Sequence, residues 1–144
     1  MFDWLARLFR QSEAPDAQVR RITDEVMPFL HAAKMSVDQH DLMIPRKHAL
    51  IYCFALGSVE AAASGNGLDE TARLAVIVQA MQRLSNFSPR EGSGLLGQVM
   101  SLLEEEEGQR ARATGREHYR RWREGDRRAA NILADYLRDV PEPG

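Results

Sequence analysis

The segment Ala49 to Ala63 constrains this chain more than any other. It reads AlaLeuIleTyrCysPheAlaLeu, then GlySerValGlu, then AlaAlaAla, and it is apolar at every position from Ala49 to Leu56. A segment of that composition has no face it can turn to water, so the rest of the chain must be arranged to cover it. Its flanks say that it is a helix. Pro45 is placed to open it as a first helical residue, and SerGlyAsnGly at Ser64 to Gly67 stops it with residues that tolerate left-handed backbone.

A second apolar helix is expected at once, with Asp69 as cap, Glu70 at its positive end, and Leu74 to Val78, Ala80, Met81 and Leu84 as buried surface. The four-residue connection makes the two helices antiparallel neighbours, and the hairpin Arg46 to Leu84 is the expected core. Upstream, Asp16 is a plausible cap for a helix carrying Val19, Ile22, Val26, Phe29 and Leu30 at helical spacing, which Pro28 should kink or delay. Ser36 to Ile44 reads as irregular, with SerValAspGln resembling a capping box. Downstream, Ser88, Pro89 and Glu91 form another start signal, although Gly92, Gly94 and Gly97 suggest that the helix is firm only from about Leu95. Leu95, Leu96, Val99, Met100, Leu102 and Leu103 supply its apolar content.

The last long segment is the most regular. Ala111, Gly115, His118, Trp122, Gly125, Ala129, Ile132 and Tyr136 recur at intervals of four and three, a seam that would turn one side of a long C-terminal helix to a partner. Its small residues would allow close approach around Trp122. A second copy of the chain is another candidate to cover it. The fold class expected is therefore all-α, one domain over 1–144, a bundle of about five main helices. Phe2, Trp4, Leu5, Leu8 and Phe9 suggest a short N-terminal amphipathic helix folded back on the bundle, 1–15 holds that helix and a linker, and the ending ValProGluProGly is expected to fray from 140 to 144.

With 144 residues the chain can bury roughly two thirds of its unfolded surface, so no disulfide or metal staple is required. The net charge of -2 steers no partner strongly. The single cysteine, Cys53, lies inside the apolar run and excludes an internal disulfide, which favours a reducing compartment. No signal peptide and no stretch of about twenty apolar residues is visible, so a soluble, cytoplasmic protein is expected. Lys34 and Lys47 are the only lysines; every other cation except histidine is arginine.

Those arginines are the strongest functional signal. Arg112, Arg116, Arg120, Arg123 and Arg127 fall near one stripe of the last helix, with Arg110, Arg121 and Arg128 beside them and Tyr119 interleaved. Such a row can track phosphates or anchor a protein interface. Glu117 before Arg121 and Glu124 before Arg128 are spaced as ordinary helix-surface pairs, and Glu104 to Glu107 upstream would repel nucleic acid. The contact residues expected are Arg112, Arg116, Tyr119, Arg120, Arg123 and Arg127, and the leading reading is a non-enzymatic protein-binding module without cofactor, a small bacterial adaptor, regulator or toxin-neutralising partner. Nucleic-acid binding by the same stripe is the alternative.

Catalytic signals are sparse. No GluXXHis pair occurs, GluGlySerGly at Glu91 to Gly94 lacks the strand that a nucleophile elbow or phosphate loop needs, and Cys53 has no base nearby in sequence. His118 on the seam reads as a core histidine with a hydrogen-bond partner. His31, the pair His40 and Asp41, and Asp69 resemble the metal-holding set of HD-type phosphohydrolases, but that family's pair ends an apolar helix and this one lies in an expected loop. The resemblance would imply metal-dependent hydrolysis around His40 and Asp41. Ala62 to Leu74 is also similar to the helix, glycine turn and acidic helix start of tellurite-resistance TerB-type bundles, without the Asp that usually precedes the turn glycine there.

Overall fold

The computed structural model describes residues 17–64, 67–85 and 88–142. The expected N-terminal helix, its linker and the Asp16 cap fall outside them. The described residues form only helices and turns: α1 (Ala17–Ser36), α2 (Gln39–Leu42), α3 (Pro45–Ala63), α4 (Glu70–Leu84), α5 (Pro89–Leu103), α6 (Glu106–Arg123), a 3-10 turn (Arg127–Asn131) and α7 (Ile132–Asp139). The all-α bundle expected from the sequence is what forms.

Local chemistry sets most helix starts. Extended Ile44 leads into α3 with Pro45 in its first turn. The Asp69 carboxylate accepts the Ala72 N–H at 2.8 Å, and the Ser88 hydroxyl accepts that of Glu91 at 3.2 Å. With that cap in place α5 begins at Pro89, earlier than its glycines suggested, because a cap and a buried face outweigh about 1 kcal/mol lost at each glycine. The capping box at Ser36 does not form. Its hydroxyl donates back to the Ala33 carbonyl at 2.6 Å, and no side chain caps the short α2. Pro28 lies within α1 on its exposed side, and Asp24, whose carbonyl loses its partner there, is exposed too.

α3 is the axis of the molecule, in contact with each of the other helices. Leu50, Tyr52, Cys53, Phe54 and Val59 have no measurable exposure. α4 returns alongside it, so that Tyr52 meets Ser85 just beyond the end of α4. The most extensive neighbour of α3, however, is α6 and not its sequence neighbour α4. α6 runs parallel to α3: Arg46 stands beside Glu105 at one end and Ala61 beside Arg123 at the other. Phe29 of α1 closes the core over this pair, its ring 5.6 Å from Phe54, 5.4 Å from Tyr119 and 5.6 Å from Trp122.

The single long C-terminal helix expected from the seam is divided at Gly125. That glycine takes φ +107°, its N–H bonds the Trp122 carbonyl at 3.0 Å, and the Asp126 N–H reaches back to Arg121 at 3.0 Å, which is a Schellman stop. The Asp126 carboxylate then accepts the Arg128 N–H at 3.1 Å and starts the 3-10 turn. Buried Ala129, Leu133 and Leu137 carry the apolar face onward through α7. Val140, where the expected tail begins, is buried, and Glu142 contacts His40.

Candidate functional site

The arginine row of α6 starts where its backbone comes into direct contact with that of α3. A Cβ added to Gly57 would stand 1.8 Å from the Arg112 carbonyl oxygen, and one added to Gly115 would stand 2.0 Å from that of Phe54. Only glycine permits such backbone contact. The Ser58 hydroxyl, 3.0 Å from the Phe54 carbonyl and 3.3 Å from that of Gly115, shares its proton between the two helices.

This crossing places Glu60 of α3 under the first two arginines. Arg112 grips its carboxylate bidentately, through Nε at 2.6 Å and through Nη2, and Arg116 donates to Oε1 at 3.0 Å. Burial alone would raise the Glu60 carboxyl, but the Arg112 and Arg116 hydrogen bonds outweigh it and hold the pKa below the usual carboxylate value. Glu60 was not among the residues that the sequence pattern singled out. A lone acid beside three alanines near the end of the apolar segment was the available signal, because such a group needs a cation.

Tyr119, expected as a contact residue, is 1% exposed and belongs to the core against Phe29. The spacing put it on the stripe, but α1 covers it. Farther along, the row opens to solvent. Arg120, Arg123, Arg127 and Arg128 are exposed and have no carboxylate within ion-pair distance among the described residues. Arg123 lies over the Tyr119 ring at 5.8 Å and Arg127 over the Trp122 ring at 4.4 Å. Arg121 pairs with Glu117 at 2.9 Å as expected, whereas the stop at Gly125 separates Glu124, which caps the end of α6, from Arg128 in the 3-10 turn.

The four residues of the HD-type resemblance do not assemble. Asp69 is spent capping α4 at the end remote from Leu84, and His31 lines a separate cleft. His40 and Asp41 sit on the short α2 instead of a loop. His40 Nε2 lies 2.9 Å from Glu142, and buried Asp41 receives the buried Lys47 ammonium at 2.9 Å.

The His31 cleft has a volume of about 350 Å³ and is lined by Lys34, Met35, Val37, Gln39, Leu42 and Leu84 as well. Lys34 donates to the terminal carbonyl of α4 at Leu84, 2.7 Å away, and to the Ser85 hydroxyl at 2.9 Å, which also bonds Tyr52. This is the cation that the carbonyl end of a helix attracts. Below it, burial and then the Lys34 charge push the His48 imidazole down from its usual pKa. Cys53 is buried, and burial pushes its thiol up to about 12, so it holds no ready thiolate. His118 has the hydrogen-bond partner expected of it, the Thr114 carbonyl at 2.9 Å, but it is half-buried and not part of the core. No helix among the described residues is long and apolar enough to cross a membrane. Neither a family model, nor a curated protein, nor a solved structure matches the chain.

Proposed function

We propose that the protein is a non-enzymatic interaction module that engages an acidic surface of another protein through the end of α6 and the turn after it. The observation that carries this reading is the division of labour along the arginine row. Arg112 and Arg116 are consumed inside the fold by Glu60, while Arg120, Arg123, Arg127 and Arg128 remain exposed without a carboxylate partner among the described residues. Two of the four are steadied on aromatic rings, which lowers the entropy lost when they bind a carboxylate. Glu124 and Asp126 lie between these arginines and Glu117 just before them, an alternation of sign that suits a folded partner better than the uniform charge of a phosphate backbone.

The test is capture of partners from cell extract by the wild type and by an Arg120→Glu, Arg123→Glu, Arg127→Glu variant, each with and without nuclease. A protein held stoichiometrically by the wild type, resistant to nuclease and lost with the variant is the expected result. Nucleic acid recovered at low salt and released at high salt would transfer the surface to the alternative ligand, and equal capture by both chains would remove the surface from the account.

A further inference from the structure

We propose that His40, Asp41 and Glu142 form a binding site for a divalent transition-metal ion, with Zn²⁺ as its reference occupant, which clips the C-terminal tail to α2. One ligand atom from each residue lies within 4.8 Å of the other two, although Glu142 is far along the chain. The closest pair, His40 Nε2 and Glu142 Oε1, is 2.9 Å apart. Ligands bound at about 2.0–2.2 Å to one ion, at right angles or tetrahedrally, stand about 3–3.5 Å apart, so a small inward shift of exposed side chains brings all three onto one centre.

Two carboxylates, Asp41 and Glu142, outnumber the one ammonium beside them, so the cluster keeps a net negative charge for a cation. Asp41 is only 7% exposed, and Lys47, itself buried, holds its Oδ1 at 2.9 Å. That bond fixes the carboxylate and leaves Oδ2 as a second acceptor, the orienting role that second-shell partners play around metal ligands. Val140, buried against the core, brings the following residues to α2, so Glu142 arrives from an anchored chain. One imidazole with two carboxylates is a donor set for Zn²⁺, Mn²⁺, Co²⁺ or Ni²⁺, whereas Ca²⁺ and Mg²⁺ demand oxygen alone. Three protein ligands leave at least one position for water.

Isothermal titration of ZnCl₂ into the full-length, tag-free chain tests this, with His40→Ala and Glu142→Gln as site variants and His31→Ala as the control. The two altered side chains are exposed, so folding is expected to survive both changes; Asp41→Asn would unpair buried Lys47 and is avoided. The expected result is one Zn²⁺ per chain, with affinity falling at least about tenfold in His40→Ala and in Glu142→Gln, unchanged in His31→Ala, and no heat from MgCl₂. Zn²⁺ should also protect the amides around Val140 from hydrogen exchange in the wild type alone. Absence of Zn²⁺ binding by the wild type, or equal binding by the wild type and Glu142→Gln, would overturn the assignment.

Discussion

The two halves of α6 carry the same residue type at the same spacing and do opposite things. In the first half, Arg112 and Arg116 fold down on Glu60 where Gly57 and Gly115 have drawn two backbones together. In the second half and the turn beyond it, α3 is ending at Ala63, Arg120, Arg127 and Arg128 are exposed, and Arg123 reaches only the Ala61 carbonyl and the Tyr119 ring. The charge of an arginine therefore does not decide whether it is structural or available. What decides is whether the neighbouring helix still runs alongside it and offers a carboxylate.

The largest effect should come from breaking the close contact. Gly115→Ala puts a methyl group into the Phe54 carbonyl, and both sides are helical backbone that cannot rotate away. Alanine is worth up to about 1 kcal/mol over glycine in a free helix, but a backbone clash of this kind reverses the sign. Urea unfolding should show a loss of about 3 kcal/mol or more, with loss of the native fold as the extreme case. A change smaller than about 1 kcal/mol would mean that the helices can separate cheaply, and that Glu60 is not held where the contrast between the two halves requires.

Removing the anchor comes next. Glu60→Gln keeps the shape but leaves two half-buried guanidiniums without their counter-charge, at a cost of about 1–2 kcal/mol. The pH dependence provides an independent check. Because the folded Glu60 pKa is lowered, its stabilisation is complete above the unfolded value near 4.5 and disappears as pH falls through the folded value. His48 is also lowered, by burial first and the Lys34 charge second, so its stabilisation is complete above about pH 6.5 and disappears as pH falls below that. The wild type should thus lose stability in two steps on acidification. Glu60→Gln should abolish the lower step and His48→Gln the upper one.

Gly94→Ala sharpens the comparison from the other side. Gly94 is helical too, but a Cβ there meets nothing within 4 Å. The propensity gain stands alone, and the variant should be more stable by about 0.5–1 kcal/mol in the same urea experiment. A destabilised Gly94→Ala would show that helical glycines in this chain are costly to replace for reasons other than contact, and would weaken the reading of Gly115.

What could be read in the sequence was whatever is decided locally. Pro45, Asp69 and Ser88 announce helix starts because capping is settled within one turn, and the apolar run at Ala49 could only be an axis. Pairings between distant segments left weaker traces. The seam in α6 did signal a close partner through Ala111 and Gly115, but hydrophobic hairpin logic assigned the core to α3 and α4, where Gly57 against Arg112 and Gly115 against Phe54 favour α6. Counting by fours and threes carried the helix through GluGlyAsp, although glycine followed by a capping aspartate is a stop and a start in adjacent residues. The stripe placed Tyr119 with the arginines, since periodicity gives a face without saying which helix covers it. Glu142 had no signal at all, because its meeting with His40 depends on the entire path of the chain.

The smallest expected effect is the one on which the functional reading depends. Arg120 and Arg128 touch no carboxylate among the described residues, so Arg120→Gln and Arg128→Gln should each leave stability within about 0.5 kcal/mol of wild type. Arg112→Gln, the same chemical change made one half-helix earlier, should cost at least about 1 kcal/mol because Glu60 loses its bidentate partner. Side-by-side urea curves decide the matter. If the outer substitutions cost as much as the inner one, then the outer arginines are also structural, and the exposed end of α6 has no charge to spare for a partner. If they cost nothing while the inner one does, the fold has no use of its own for Arg120 and Arg128, and both stay available to a partner as the proposed function requires.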